Sequence, residues 1–215
     1  MYRYLDKLLA AAKKKMRAEF NRYSSLGFDE LNVVNIKKVT RQTFDRLMRD
    51  NEEMYLRVAR NAYANAAKTA KEEGFSGEES VVDDALVMAV LLGYNAVTTY
   101  LYDKEADRKR LRLNEQILTA REYGDRRMYN DSIRRTANLW WTQTAQYGIS
   151  MVDEATIKAY KDMGVKYVQW VAAADDRTCP TCNDRDGRVY KILRIPGKPH
   201  YGCRCYVKPV HNEEK

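Results

Sequence analysis

Proline and cysteine are confined to one end of this chain. All four prolines (Pro180, Pro196, Pro199, Pro209) and all four cysteines (Cys179, Cys182, Cys203, Cys205) lie between positions 179 and 209, so residues 1–178 contain neither. Proline removes a backbone donor and clashes with the preceding helical turn, so a long stretch without it leaves helix open throughout. The 215 residues therefore divide into two unlike parts. The expected fold is mainly α with a small α+β module at the C-terminal end: a helical body over 1–165, itself split near 125, and a short β-rich module over 166–215.

Glycines punctuate the first part. Gly27, Gly74, Gly77, Gly124, Gly148 and Gly164 stand where helices would stop, and they predict helices near 2–25, 28–73, 80–102, 104–123, 126–147 and 153–163. Within 28–73, Leu31, Val34, Phe44, Leu47, Met54, Val58, Ala62 and Ala66 recur mostly at three- and four-residue steps, which puts one apolar stripe on one helix face. The polar run at 49–53 (RDNEE) is a candidate break. Ser80 with Asp83 reads as a capping box, and Asp153 as the N-cap of 154–163. Tyrosine outnumbers phenylalanine sixteen to four, which suits half-buried helix faces whose hydroxyls reach water or a partner.

The opening MYRYLDKLLAAAKKK lacks the unbroken apolar core of a secretory signal, so a chain made and kept in the cytosol is expected. Residues 85–102 carry no charge, but Asn95, Thr98, Thr99 and Gly93 interrupt them, and a buried central helix is expected rather than a membrane span. The net charge of +8 suits a polyanionic neighbour. Its densest run, 107–113, makes Arg108, Lys109, Arg110 and Arg112 candidate nucleic-acid contacts, against the plainer reading of a solvated helix face.

From Lys166 the pattern changes. KYVQWVAA alternates and is rich in β-branched and aromatic residues, as a strand is. Cys179-Pro-Thr-Cys182 then forms a C-x2-C knuckle, and His200-Tyr-Gly-Cys203-Arg-Cys205 follows after residues 183–199. Two ligand pairs on tight turns suit a tetrahedral structural zinc site. A disulfide framework does not suit a reducing compartment, and a redox pair leaves His200, Cys203 and Cys205 without a role. Cys179, Cys182, His200 and Cys203 form two matching i, i+3 pairs and are the expected ligands. Cys205, two residues along the same strand face, is the alternative to Cys203. Asp186-Gly187 signals a tight turn before a short strand at 189–192. So small a module has too little apolar area to fold unaided, and metal would contribute much of its stability.

The order of these residues is specific. Trp170, then Asp175-Asp176-Arg177-Thr178-Cys179-Pro-Thr-Cys182, then Arg185-Asp186-Gly187, then Pro199-His200-Tyr-Gly-Cys203-Arg-Cys205 resembles the phage Mu F-like minor head proteins, the head morphogenesis family. The resemblance covers about 166–210, with residues 126–163 as a helical lead-in and nothing quotable before 125. It implies a low-copy virion component, inside the head or at the portal vertex, acting in procapsid assembly and DNA packaging or delivery. Its implied partners are the portal protein and other head proteins, with packaged double-stranded DNA as a further neighbour and neither a membrane nor a small-molecule substrate. On this resemblance Asp175 and Arg177 orient the knuckle backbone, and Trp170 fixes the module to the helices. The toxin or ADP-ribosyltransferase extension of some members is not expected here.

Catalysis is not expected. Once His200 is assigned to zinc, only His211 remains, too little for a nuclease of the His-Asn-His kind, and the H-E-x-x-H, G-x4-G-K-[ST] and G-x-S-x-G patterns are missing. The remaining alternative is a zinc-stabilised DNA-binding protein, whose affinity would fall steeply with salt.

Overall fold

The structure is a computed structural model that describes residues 2–82, 85, 97–173, 178–200 and 202–211. Among them are five α-helices, α1 (Arg3–Asn21), α2 (Val33–Glu72), α3 (Val97–Glu122), α4 (Arg126–Asp162) and α5 (Pro180–Arg185), and three strands, β1 (Tyr167–Val171), β2 (Val189–Lys191) and β3 (Tyr206–Val210). The architecture is thus mainly α with a small C-terminal sheet. The central helix expected over 80–102 and the Asp83 half of the capping box fall largely outside the described residues. No described helix is long and apolar enough to cross a membrane.

Three expected helix boundaries are absent. The polar run at 49–53 does not break α2, because Asn51 is buried and its amide donates to Thr144 Oγ1 at 3.0 Å. A satisfied buried amide costs little inside a helix, whereas an unsatisfied one would favour a break. Gly148 lies within α4 rather than at its end, since a Cβ there would stand 2.7 Å from Leu5 Cδ1. It is a close-approach glycine, and Asp153 is accordingly mid-helix rather than an N-cap. A single helix also runs from 97 to 122, with no stop near 103. Gly74, Gly124 and Gly164 do stand just past helix ends, each with positive φ (85°, 63° and 74°), the left-handed C-cap conformation that favours glycine.

The chain forms two compact units. One, the helical unit, comprises residues 7–54 and 88–145; the other, the sheet unit, comprises 1–6, 55–87 and 146–215. In the helical unit Phe44 meets Phe20 edge-on at 6.2 Å and Trp140 at 5.3 Å. Leu47, Leu113 and Ile117 are buried with them. Thr40 Oγ1 donates to Asn114 Oδ1 at 2.6 Å, so a polar pair inside this core is matched.

In the sheet unit β1 lies between β2 and β3 and pairs with both antiparallel, Val168 facing Tyr190 on one side and Pro209 on the other. Alternation puts Val168 and Trp170 on the buried face of β1. That face and the apolar side of α4 (Met151, Ala155, Ala159) are both buried, as are Ala59, Ala66 and Ala70 of α2. The strand β3 contains Pro209, which is tolerated because β3 is an edge strand and needs one donor fewer.

Candidate metal centre

The C-x2-C knuckle is the first turn of α5. Cys179 is its N-cap in extended conformation and Pro180 its first residue, where proline's fixed φ and missing N–H cost nothing. The amides of Cys182 and Asn183 donate to Cys179 O at 3.0 and 3.1 Å. The second pair sits on a turn closed by Cys203 N–H donating to His200 O (3.4 Å), with Gly202 at φ +75°. The Gly202 amide donates to Gln146 Oε1 of α4 at 2.7 Å, which fixes the turn to the helix. Residues 203–205 are not strand; β3 begins at Tyr206.

Five donors come together in two overlapping groups. Cys179, Cys182 and His200 form one and Cys182, Cys203 and Cys205 the other, the donor atoms of each lying within 4.8 Å of one another. Cys182 Sγ is 3.5 Å from Cys203 Sγ and 4.0 Å from His200 Nε2. Two thiolates on one tetrahedral zinc, each bonded at about 2.3 Å, stand about 3.8 Å apart, so these spacings fit a shared ion. All four thiols are free, and Cys182, Cys203 and Cys205 are buried.

The thiols of the cluster are displaced from the ordinary range in both directions. Burial, with the thiols of Cys205, Cys179 and Cys203 crowded around it, pushes Cys182 well above the ordinary thiol range. Burial also raises Cys203. For Cys179 burial acts upward, but the amides of Cys182 and Thr181 at the start of α5 outweigh it and leave the thiol lowered. Without a cation the buried thiols hold their protons; a divalent ion would displace them and bind the thiolates. The donor set of four sulfurs and one imidazole therefore fits a metal.

The expected supporting residues are placed unequally. Asp175 and Arg177 lie outside the described residues. Trp170 is buried and supports the knuckle through Arg185, whose guanidinium lies 5.3 Å over the indole and donates to Gly197 O at 2.8 Å. Asp186 and Gly187 tie the end of α5 to β1: Asp186 Oδ1 accepts from Ala172 N–H (2.7 Å), and Gly187 N–H, at φ +75°, donates to Trp170 O (2.9 Å). Arg108, Lys109, Arg110 and Arg112 lie on α3 in the helical unit, and Arg110 pairs with Asp107 one turn earlier at 2.9 Å.

Sequence reading missed the network behind the second ligand pair. Lys198 Nζ donates to Cys203 O (2.9 Å), to Tyr2 Oη (2.7 Å) and to the Asp153 carboxylate (2.7 Å), which accounts for all three ammonium protons. Tyr2 Oη in turn donates to Asp153 Oδ1 at 2.8 Å. Burial raises the Asp153 carboxyl while Lys198 pulls it back, and burial with Asp153 beside it drives the Tyr2 phenol up. Arg204, between Cys203 and Cys205, pairs with Asp6 at 2.8 Å. A residue 151 positions from Asp153 and 203 from Cys205 leaves no local signal; only the G-K-P setting of Lys198 is unusual.

Fold and site together define a class: a mainly helical protein carrying a small antiparallel sheet whose flanking turns gather thiols and an imidazole. The family described as Phage Mu protein F like protein matches residues 93–208, from before α3 to within β3. The chain belongs to that family, which makes it a phage head-related protein. The match starts well before the motif region, so α3 and α4 are part of the family unit and not only a lead-in. No curated protein and no solved structure matches the chain.

Proposed function

We propose that this protein is a minor head component of a tailed phage, sited inside the head or at the portal vertex, with a structural role in procapsid assembly and DNA packaging or delivery. The family match over residues 93–208 carries this reading. In the same reading the metal is zinc and its role is structural. Cys179, Cys182, His200 and Cys203 hold it, with Cys205 exchanging for Cys203, and the ion joins the first turn of α5 to the turn before β3. Trp170, Asp186 and Gly187 keep those turns in place. Portal protein and other head proteins are the partners, and the role requires no catalytic residue.

Purified heads from an infected culture provide the test. The chain is expected in them at a fixed low copy number, with density at the portal vertex, and heads made without it are expected to be defective in assembly or DNA content. Its absence from heads would reject the reading. Elemental analysis of the purified chain is expected to give one zinc per molecule, and none from a Cys182→Ala variant.

A further inference from the structure

From Met163 to Val171 and from Gly187 to His211 the sequence contains no Asp or Glu, yet it carries Lys166, Arg188, Lys191, Arg194, Lys198, Arg204 and Lys208. Two of these have internal carboxylates: Lys198 has Asp153, and Arg204 has Asp6. Others meet elsewhere. Lys161, Lys166, Lys191 and Arg194 line one open concavity of about 590 Å³ in the sheet unit, beside Leu193, and no carboxylate among the described residues lines it. All four cations are exposed, and Leu193 on the same turn is 81% exposed.

The concavity is assembled from four neighbouring pieces of the chain. Lys161 is in the last turn of α4, Lys166 immediately precedes β1, Lys191 ends β2, and Arg194 closes the short 3-10 turn after it. The Ile192 amide donates to Lys166 O at 2.9 Å and holds that turn against the start of β1. Local structure explains only part of the charge. A lysine suits the C-terminal end of a helix dipole, and a lysine on the edge strand β2 discourages pairing with other chains. Those reasons cover Lys161 and Lys191 and leave Lys166 and Arg194 unexplained. The neighbouring Asp162 is already engaged by Lys158, Ser80 and Tyr63, and Glu154 is the carboxylate that acts on Lys161.

We propose that this concavity is a docking site for the phosphate backbone of duplex DNA. Lysine, three of the four cations here, is depleted at protein–protein interfaces, whereas Lys and Arg make many of the contacts to phosphate; Val165, Tyr167 and Ile192 also line the concavity. Glu154 acts on Lys161, but no carboxylate among the described residues lines the concavity, and cations gathered on one surface repel unless a polyanion neutralises them. The contacts proposed are to phosphate and carry no sequence information. The proposal deepens the head-protein reading by naming the packaged duplex as the ligand of one particular surface.

The test is fluorescence anisotropy of the full, metal-loaded chain with a labelled random-sequence duplex, between about 50 and 200 mM salt. Four phosphate contacts give a slope of log K against log salt of about −3.6. The triple variant Lys166→Glu, Lys191→Glu, Arg194→Glu is expected to lose at least about tenfold in affinity and to flatten the slope by about 3. All three residues are exposed, so its circular dichroism and zinc content stay those of the parent. Reversing Arg108, Arg110 and Arg112 on α3 is expected to leave the slope unchanged. An unchanged slope in the first variant, or an equal loss in the second, overturns the proposal. So does unchanged DNA affinity with lost binding to a head protein, which would make the surface an acidic-protein contact. If the parent chain is present in heads but does not bind DNA, this inference alone falls; if it binds DNA through the concavity but is absent from heads, the head-protein reading falls instead.

Discussion

The two units use different means of holding a fold. The helical unit relies on close aromatic and aliphatic packing, with Phe44 between Phe20 and Trp140 and matched amide–hydroxyl pairs inside. The sheet unit has a three-stranded sheet, of which one strand has only three residues. It adds polar and ionic fasteners: the thiol–imidazole cluster, the Tyr2–Asp153–Lys198 network and the Asp6–Arg204 pair. Burial of apolar area is non-directional and tolerant of pH. Charges and metal ligands are directional and respond to protons and chelators. The units should therefore fail under different insults.

Removing the metal is expected to separate them most sharply. In Cys182→Ala, or after chelation, amide hydrogen exchange across 178–211 should rise to the rate of an open loop, while residues 36–54 and 106–120 keep their protection. Equal loosening of both stretches would break the comparison. The converse insult is Phe44→Ala, expected to cost about 3–5 kcal/mol in denaturant unfolding of the helical unit and to leave zinc content unchanged. A fall in zinc content would show that the difference in means is only apparent.

Next in size is Lys198→Met. Breaking a fully buried ion pair costs about 3–5 kcal/mol, but both partners here keep some water contact, so about 2 kcal/mol is expected. Zinc affinity should fall as well, because Cys203 O loses its donor; a competition assay with a metal indicator measures this. The smallest effect concerns Glu154, whose carboxyl burial raises from 4.5 to about 7. Between those values the folded state binds more protons than the unfolded, so stability should decline as pH rises from about 4.5 to 7. Glu154→Gln should flatten that decline in thermal unfolding of the sheet unit.

What could be read from the sequence follows the range of the interactions. Helix patterning, the left-handed glycines at 74, 124 and 164, the strand at 167–171 and the knuckle all depend on neighbours a few residues apart. Gly148 misled because its reason is Leu5, far away in sequence. Asn51 misled because its partner is Thr144. A strand was read through Cys203 and Cys205, but β3 begins at Tyr206, and Pro209 within it is acceptable because of an edge position that only topology reveals. At the candidate metal centre the clustering of thiols and imidazole was legible because two short turns carry them. Lys198, Tyr2 and Asp153 were not, since each is ordinary until the chain brings them together.

Cys182 belongs to both donor groups, and that makes it a single point of failure under oxidation. Its sulfur lies 3.5 Å from that of Cys203, so these two thiols are the pair an oxidising buffer is expected to link in a metal-free chain. That bond would remove the shared vertex from either ligand choice at once, leaving Cys179 with His200 on one side and Cys205 alone on the other. Loss of a bound metal in air would then become permanent until a reductant is supplied, whereas a metal held by these thiols would protect them.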